Sequence, residues 1–225
     1  KNSLSGLAAA FPMKMAINDM HMATRKDMPI LRDILQKALD SIEEPTRNAI
    51  VANWAGMDSL AALQDTSLEF SDQEKAYLKE KKQIQFCIDP NWMPYERISE
   101  QQKYQGIFAD VLKLISNRTD ISFNLHATTS WHQSLQKLKN GQCDLIPAAA
   151  KTDSRQAWMT FSKPYLVLPL VVAVSSKELF VENLTAIKGK KLGVVKSYAH
   201  IDLLRKRFPE LKLHEVDSVY DGLKR

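Results

Sequence analysis

Glycine is scarce, 7 of 225 residues, which argues against glycine-rich loops that cradle phosphates. Two cysteines are too few for a disulfide-dense scaffold. No stretch reaches the roughly 18 apolar residues that cross a bilayer. The apolar patch Leu4–Phe11 is too short, and too poor in flanking cations, for a signal peptide. The histidines (His21, His126, His132, His200 and His214) make no HExxH pair and no metal-ligand spacing with cysteine. GxSxG, P-loop and strand-following GxGxxG patterns are missing as well. No catalytic residue, metal or cofactor is therefore expected, and the chain is not expected to be an enzyme. No strip of interleaved basic and aromatic residues suggests nucleic acid as a partner. What remains is ordinary globular composition, 44% hydrophobic and 25% charged, at a length that holds one or two domains.

Charge is uneven. Residues 1–75 carry 8 Lys and Arg against 11 Asp and Glu, whereas residues 76–225 carry 23 against 15. The basic excess is spread over helices and strands and reads as a solvated face. Met13–Thr24 mixes polar and apolar residues and reads as an extended stretch. Its four methionines (13, 15, 20 and 22) read as adaptable core packing rather than a metal box. From Pro29, apolar residues at Ile30, Leu31, Ile34, Leu35, Ala38, Leu39 and Ile42 recur at helical spacing. A second helix begins near Pro45 and stops at Gly56. Polar Asp65–Ser71 reads as a linker, and Ser71-Asp72-Gln73-Glu74 is a capping box that opens a short helix running to about Lys81.

From Ile84 the pattern alternates: strand Ile84–Ile88, helix Ile107–Asn117, strand Ile121–His126, a helix capped by Ser130, strand Leu145–Ala150. This predicts an α/β domain with a parallel sheet and crossover helices. Tyr165–Val174 reads as one long apolar strand. Lys191–Val195, Ser197–Phe208 and Leu211–Val216 read as strand, helix and strand of a second, similar unit, and a last helix is capped at Asp217 or Ser218. Cys87 and Cys143 would be several residues out of register on adjacent parallel strands, which disfavours a bridge.

Open parallel sheets bind ligands beyond the carboxyl ends of their strands. Asp89, Trp92, Tyr95 and Glu96 follow the first strand. Thr128, Thr129 and Trp131 follow the second, and Lys151, Thr152, Asp153 and Arg155 the third. Lys196, Ser197 and Tyr198 follow the first strand of the second unit. Trp92 or Trp131 taken singly reads as core, and Arg155 singly as a surface ion pair. Together on one edge they suit a small zwitterion or carboxylate held by an aromatic clamp and a bidentate guanidinium.

Ile88-Asp89-Pro90-Asn91-Trp92-Met93-Pro94-Tyr95-Glu96, Tyr104–Asp110, Gly141–Leu145, Thr152-Asp153-Ser154-Arg155, Phe161–Tyr165 and Gly189–Val195 occur in the order found in a known family. By these blocks residues 84–225 resemble the family 3 extracellular solute-binding proteins, of type II periplasmic-binding or Venus-flytrap fold. Ala23–Leu31, with Ala38-Leu39 and Trp54, resembles the closing segment of a preceding flytrap. The resemblance thus implies four parts: residues 1–64 closing a preceding flytrap, 65–82 a linker helix, 83–168 lobe 1, and 169–225 an incomplete lobe 2.

Tandem flytraps of this sort are typical of periplasmic sensor regions of bacterial histidine kinases and diguanylate cyclases. The resemblance therefore implies a periplasmic module that senses an amino acid or small carboxylate. Its partners would be that ligand and a neighbouring flytrap, with the membrane reached only through a segment outside this sequence, and a homodimer is compatible with it. It makes Thr152 and Arg155 the grip on a ligand carboxylate, and Trp92 and Trp131 aromatic walls. Asp89 becomes a polar wall, with Tyr95 beside it and Ala149 at the sheet edge, and Lys196, Ser197 and Tyr198 the lobe 2 side. Ala148-Ala149-Ala150 departs from a glycine- and hydroxyl-rich stretch, and Lys196-Ser197-Tyr198 lacks the usual glycine. The family's lobe 2 acid, which holds a ligand amine, would fall beyond Arg225. Two other functions share the resemblance: the binding component of an ABC-type amino-acid transporter, and an enzyme, since some proteins of this fold are dehydratases.

Overall fold

The computed structural model describes residues 7–13, 19–56, 68–81, 83–168, 170–177 and 181–224. Met15, residues 65–67 of the expected linker and Pro169 lie outside them. The chain starts with β1 (Leu7–Pro12), β2 (Asp19–Arg25), α1 (Pro29–Asp40), α2 (Glu44–Trp54) and α3 (Asp72–Glu80). β3 (Gln83–Phe86) follows, then a small antiparallel flap of β4 (Asn91–Trp92), β5 (Glu96–Ile98) and β6 (Tyr104–Gln105). Next come α4 (Ile107–Thr119), β7 (Ser122–Leu125), α5 (Trp131–Lys139), β8 (Leu145–Ala150), α6 (Asp153–Gln156), β9 (Met159–Phe161) and β10 (Leu166–Val167). The remaining elements are β11 (Val171–Ser175), β12 (Lys191–Val195), α7 (His200–Arg207), β13 (Lys212–Val216) and α8 (Val219–Lys224).

Lobe 1 is built on a mixed sheet of order β10-β2-β8-β3-β7, with β9 also paired to β2. β3 is parallel to β7 and β8, as the alternation predicts. β2 is antiparallel to β8, β9 and β10, so the sheet is not purely parallel. The segment expected to close a preceding flytrap thus pairs, in this structure, with strands of the same chain.

Strand periodicity divides β2 between two cores. Met20 and Met22 face the core shared with α1 and α4, while Ala23 faces the one under α5. On α1, Leu31, Ile34, Leu35, Ala38 and Leu39 form the buried stripe that the sequence spacing predicts. The Ser71 capping box forms, with Ser71 Oγ accepting from the Glu74 amide and Glu74 Oε2 accepting from the Ser71 amide. Lys37 reaches Glu74 Oε2 at 2.6 Å and ties α1 to α3.

Lobe 2 holds the antiparallel pair β1–β11 and the parallel pair β12–β13 around Met13, Val172, Val194 and Leu204. The single strand expected over Tyr165–Val174 is two strands in different sheets: β10 ends in lobe 1 and β11 begins in lobe 2. The stretch therefore crosses from one lobe to the other. No helix among the described residues is long and apolar enough to cross a membrane.

Cys87 and Cys143 are joined by a disulfide, with Cα atoms 6.0 Å apart, contrary to the register argument. The β3–β8 pairing is at Phe86 and Leu145. Cys143 precedes it, in the turn that leaves α5, where its amide donates to the Lys137 carbonyl at 3.3 Å. A residue in that turn is not bound by strand register and folds over the end of β3.

Candidate functional site

Four segments of lobe 1 converge on the gap between the lobes. The first is the turn after β3. Asp89, 4% exposed, is anchored there by its own amide, which donates to Glu96 Oε1 at 2.8 Å. Its Oδ1 accepts from the Asn91 amide. Burial raises its pKa, against the pull of hydrogen bonds from Tyr198 and Asn91. Glu96 lies fully inside the flap, and burial, reinforced by the Asp89 charge, holds its carboxyl well above the usual range. Tyr104 Oη donates to it at 2.9 Å. The flap lies tight against α4 at Gly106, where φ is +127° and a Cβ would meet the Tyr95 carbonyl oxygen at 2.3 Å. This close approach stacks Tyr95 on Phe108 and sets Trp92 4.9 Å from Tyr95, ring to ring.

The second segment is the start of α5. Ser130 caps it through the Gln133 amide, which fixes Trp131 in the first turn. The third is β8, whose Ala148, Ala149 and Ala150 leave room at the sheet edge. The fourth is α6, capped by Thr152, whose hydroxyl accepts from the Arg155 amide. Arg155 is 6% exposed, and its guanidinium lies 5.4 Å from the Trp131 ring. Burial pushes its pKa down to about 10, though Asp202 works against this, so it stays charged at neutral pH.

Lobe 2 answers with the β12–α7 turn. The helix expected from Ser197 starts only at His200, because Ser197 takes a left-handed φ of +66° and the next residue points across the gap. Tyr198 Oη donates to Asp89 Oδ2 at 2.6 Å. Its ring centroid lies 6.1 Å from Trp92 and 6.3 Å from Trp131. The Ser197 carbonyl accepts from Arg155 Nη2 at 2.9 Å and from Trp131 Nε1 at 3.2 Å. The second arm of Arg155 donates to the Ala150 carbonyl at 2.6 Å.

Of the residues proposed from sequence, Asp89, Trp92, Tyr95, Trp131, Ala149, Arg155 and Tyr198 surround one inter-lobe cavity of about 440 Å³. Thr152, Lys196 and Ser197 do not line it. They line an adjoining recess of about 320 Å³ that shares Arg155 and Tyr198. Sequence reasoning missed Met20, Leu168, Leu170 and His200 on the main cavity wall. It also missed His132, whose Nδ1 is 2.7 Å from Ser197 Oγ. In the sequence the histidines carry only the question of metal spacing, which does not point to this cleft. Burial, with the Arg155 charge, pushes the His200 pKa down to about 4.

Comparison with known proteins places this geometry. The family model for bacterial extracellular solute-binding proteins, family 3, matches residues 84–224. Sensor protein EvgS of Escherichia coli K12 is 26% identical over 202 residues, covering 87% of this chain and 16% of that protein. Virulence sensor protein BvgS of Bordetella pertussis Tohama I is 21% identical over 212 residues, covering 94% and 17%. The chain thus spans about a sixth of the length of these curated relatives. The crystal structure of the BvgS periplasmic VFT2 domain superposes with a TM-score of 0.57 at 19% identity, over 69% of this chain and 66% of that one. An ancestral arginine-binding protein bound to glutamine gives 0.54 at 19% identity, over 64% of each. The two-lobed architecture is of Venus-flytrap type.

Proposed function

The chain belongs to the bacterial extracellular solute-binding proteins, family 3, and from that premise we propose that it is a periplasmic ligand-sensing module of a membrane-anchored signalling receptor. The ligand class is an amino acid or small carboxylate. One observation carries the proposal: a buried arginine, two tryptophans and a buried aspartate of lobe 1 converge on a cavity walled on its far side by lobe 2. A ligand that touches both lobes biases their relative arrangement through its contacts with each, and whatever is attached to lobe 2 reads the change. The sensor relatives support signalling over transport, and the likeness to a glutamine-bound arginine-binding protein supports the ligand class. We read the module as binding without turnover, so a bound compound should be recovered unchanged.

The test is calorimetry of the purified chain against the twenty amino acids and small dicarboxylates. A carboxylate ligand is expected, and Arg155→Ala should weaken it by about 2–5 kcal/mol, the cost of truncating a buried charged partner. Unchanged affinity in the variant removes Arg155 from the site, and no binding by any compound refutes the ligand class.

A further inference from the structure

The groups of lobe 1 that are built to hold a ligand are already in use. Asp89 accepts a hydroxyl at 2.6 Å, and Arg155 and Trp131 donate together to one carbonyl oxygen. A ring sits between Trp92 and Trp131. All of these partners come from two consecutive residues of lobe 2, and Ser197 holds a left-handed backbone that a non-glycine residue adopts only at a cost. Such a conformation persists where its surroundings over-determine it. Here the bonds to its carbonyl and the 2.7 Å contact of its hydroxyl with His132 all run across the gap.

We infer that the Ser197–Tyr198 turn is a built-in surrogate ligand: it fills the polar subsites of lobe 1 and keeps the lobes together without a bound molecule. This rests on the cleft being the ligand site, and it narrows the ligand's chemistry. A compound that displaces the turn must bring a hydroxyl or ammonium donor to Asp89 and a carbonyl or carboxylate acceptor to Arg155 and Trp131. An aromatic or apolar body must lie between them. Such a ligand competes with the protein's own tyrosine, so the unliganded state is closed. The signal is then exchange of one occupant for another, rather than closure of an empty cleft.

The experiment is amide hydrogen exchange on the ligand-free 225-residue chain, comparing wild type with Tyr198→Phe and Trp131→Phe. Exchange rates report an open form even when it is a minor species. Each variant removes one hydrogen bond across the gap, and each should speed exchange of the amides around Ser197 and Arg155 by about 10- to 100-fold. Exchange under the buried stripe of α1 should stay unchanged. Tyr198→Phe should also bind L-tyrosine or L-arginine at least 10-fold more tightly than wild type by calorimetry. Wild-type exchange rates in both variants, with unchanged far-UV circular dichroism, would overturn the proposal. If the variants open and Tyr198→Phe binds none of the twenty amino acids or small dicarboxylates, the surrogate stands and the proposed ligand class falls.

Discussion

Removing the Cys87–Cys143 bridge gives a prediction whose size follows from topology. The bond joins residues separated by 56 positions. The entropy released to an unfolded chain by opening a loop of that length is about 14 cal/mol/K, or about 4 kcal/mol at 25 °C. The loop carries Asp89, Trp92 and Trp131, two of the four tryptophans, so tryptophan emission reports in part on the constrained segment. In urea, with a slope of roughly 2–3 kcal/mol/M for a chain of this size, Cys87→Ala/Cys143→Ala should shift the midpoint down by about 1.5–2 M. The slope itself should rise, because the uncrosslinked unfolded chain exposes more surface. Dithiothreitol should produce the same shift in wild type and none in the double variant. A midpoint change below about 0.5 M, or an equal response of both proteins to reductant, would refute the loop-entropy reasoning.

His200 supplies a pH test. It stays neutral in the fold down to about pH 4, while an unfolded histidine protonates near 6.5. The unfolded state therefore binds the extra proton, and stability present above about pH 6.5 is lost as pH falls toward 4, by up to about 3 kcal/mol. Urea titrations across that range should show a shallower loss in His200→Gln, and an identical slope would remove His200 from the account. In the core, Leu35 is fully buried on α1, and Leu35→Ala should cost about 2–5 kcal/mol in the same titration. A loss under about 1 kcal/mol would mean that α1 does not pack on the sheet as described.

Local elements were legible where one signal sufficed. The Ser71 capping box, the apolar stripe of α1 and the Ser130 cap of α5 all follow from side-chain chemistry within a few residues. Which strands neighbour one another was not legible. Met20 and Met22 look like adaptable filler until β8, β9 and β10 are seen to flank their strand. The disulfide is not legible from strand register because Cys143 lies in a turn, where register does not apply. In the site, residue types and their convergence were visible from Trp92, Trp131 and Arg155. The split of Thr152, Lys196 and Ser197 into a separate recess was not, because it depends on how the β12–α7 turn meets α6 across the gap.

The place of β2 in the lobe 1 sheet has a consequence for biosynthesis. His21 and the Ser162 carbonyl that its ring nitrogen contacts are 141 residues apart. At 5–20 residues per second, a ribosome finishes the partner roughly 7–28 s after the strand itself. For much of that interval β2 is without its antiparallel partners β8, β9 and β10, all of which are made later. An unpaired strand edge of that kind is open to other edges within reach until its own partners arrive. Closing this side of the lobe 1 sheet therefore waits on strands made more than a hundred residues after β2.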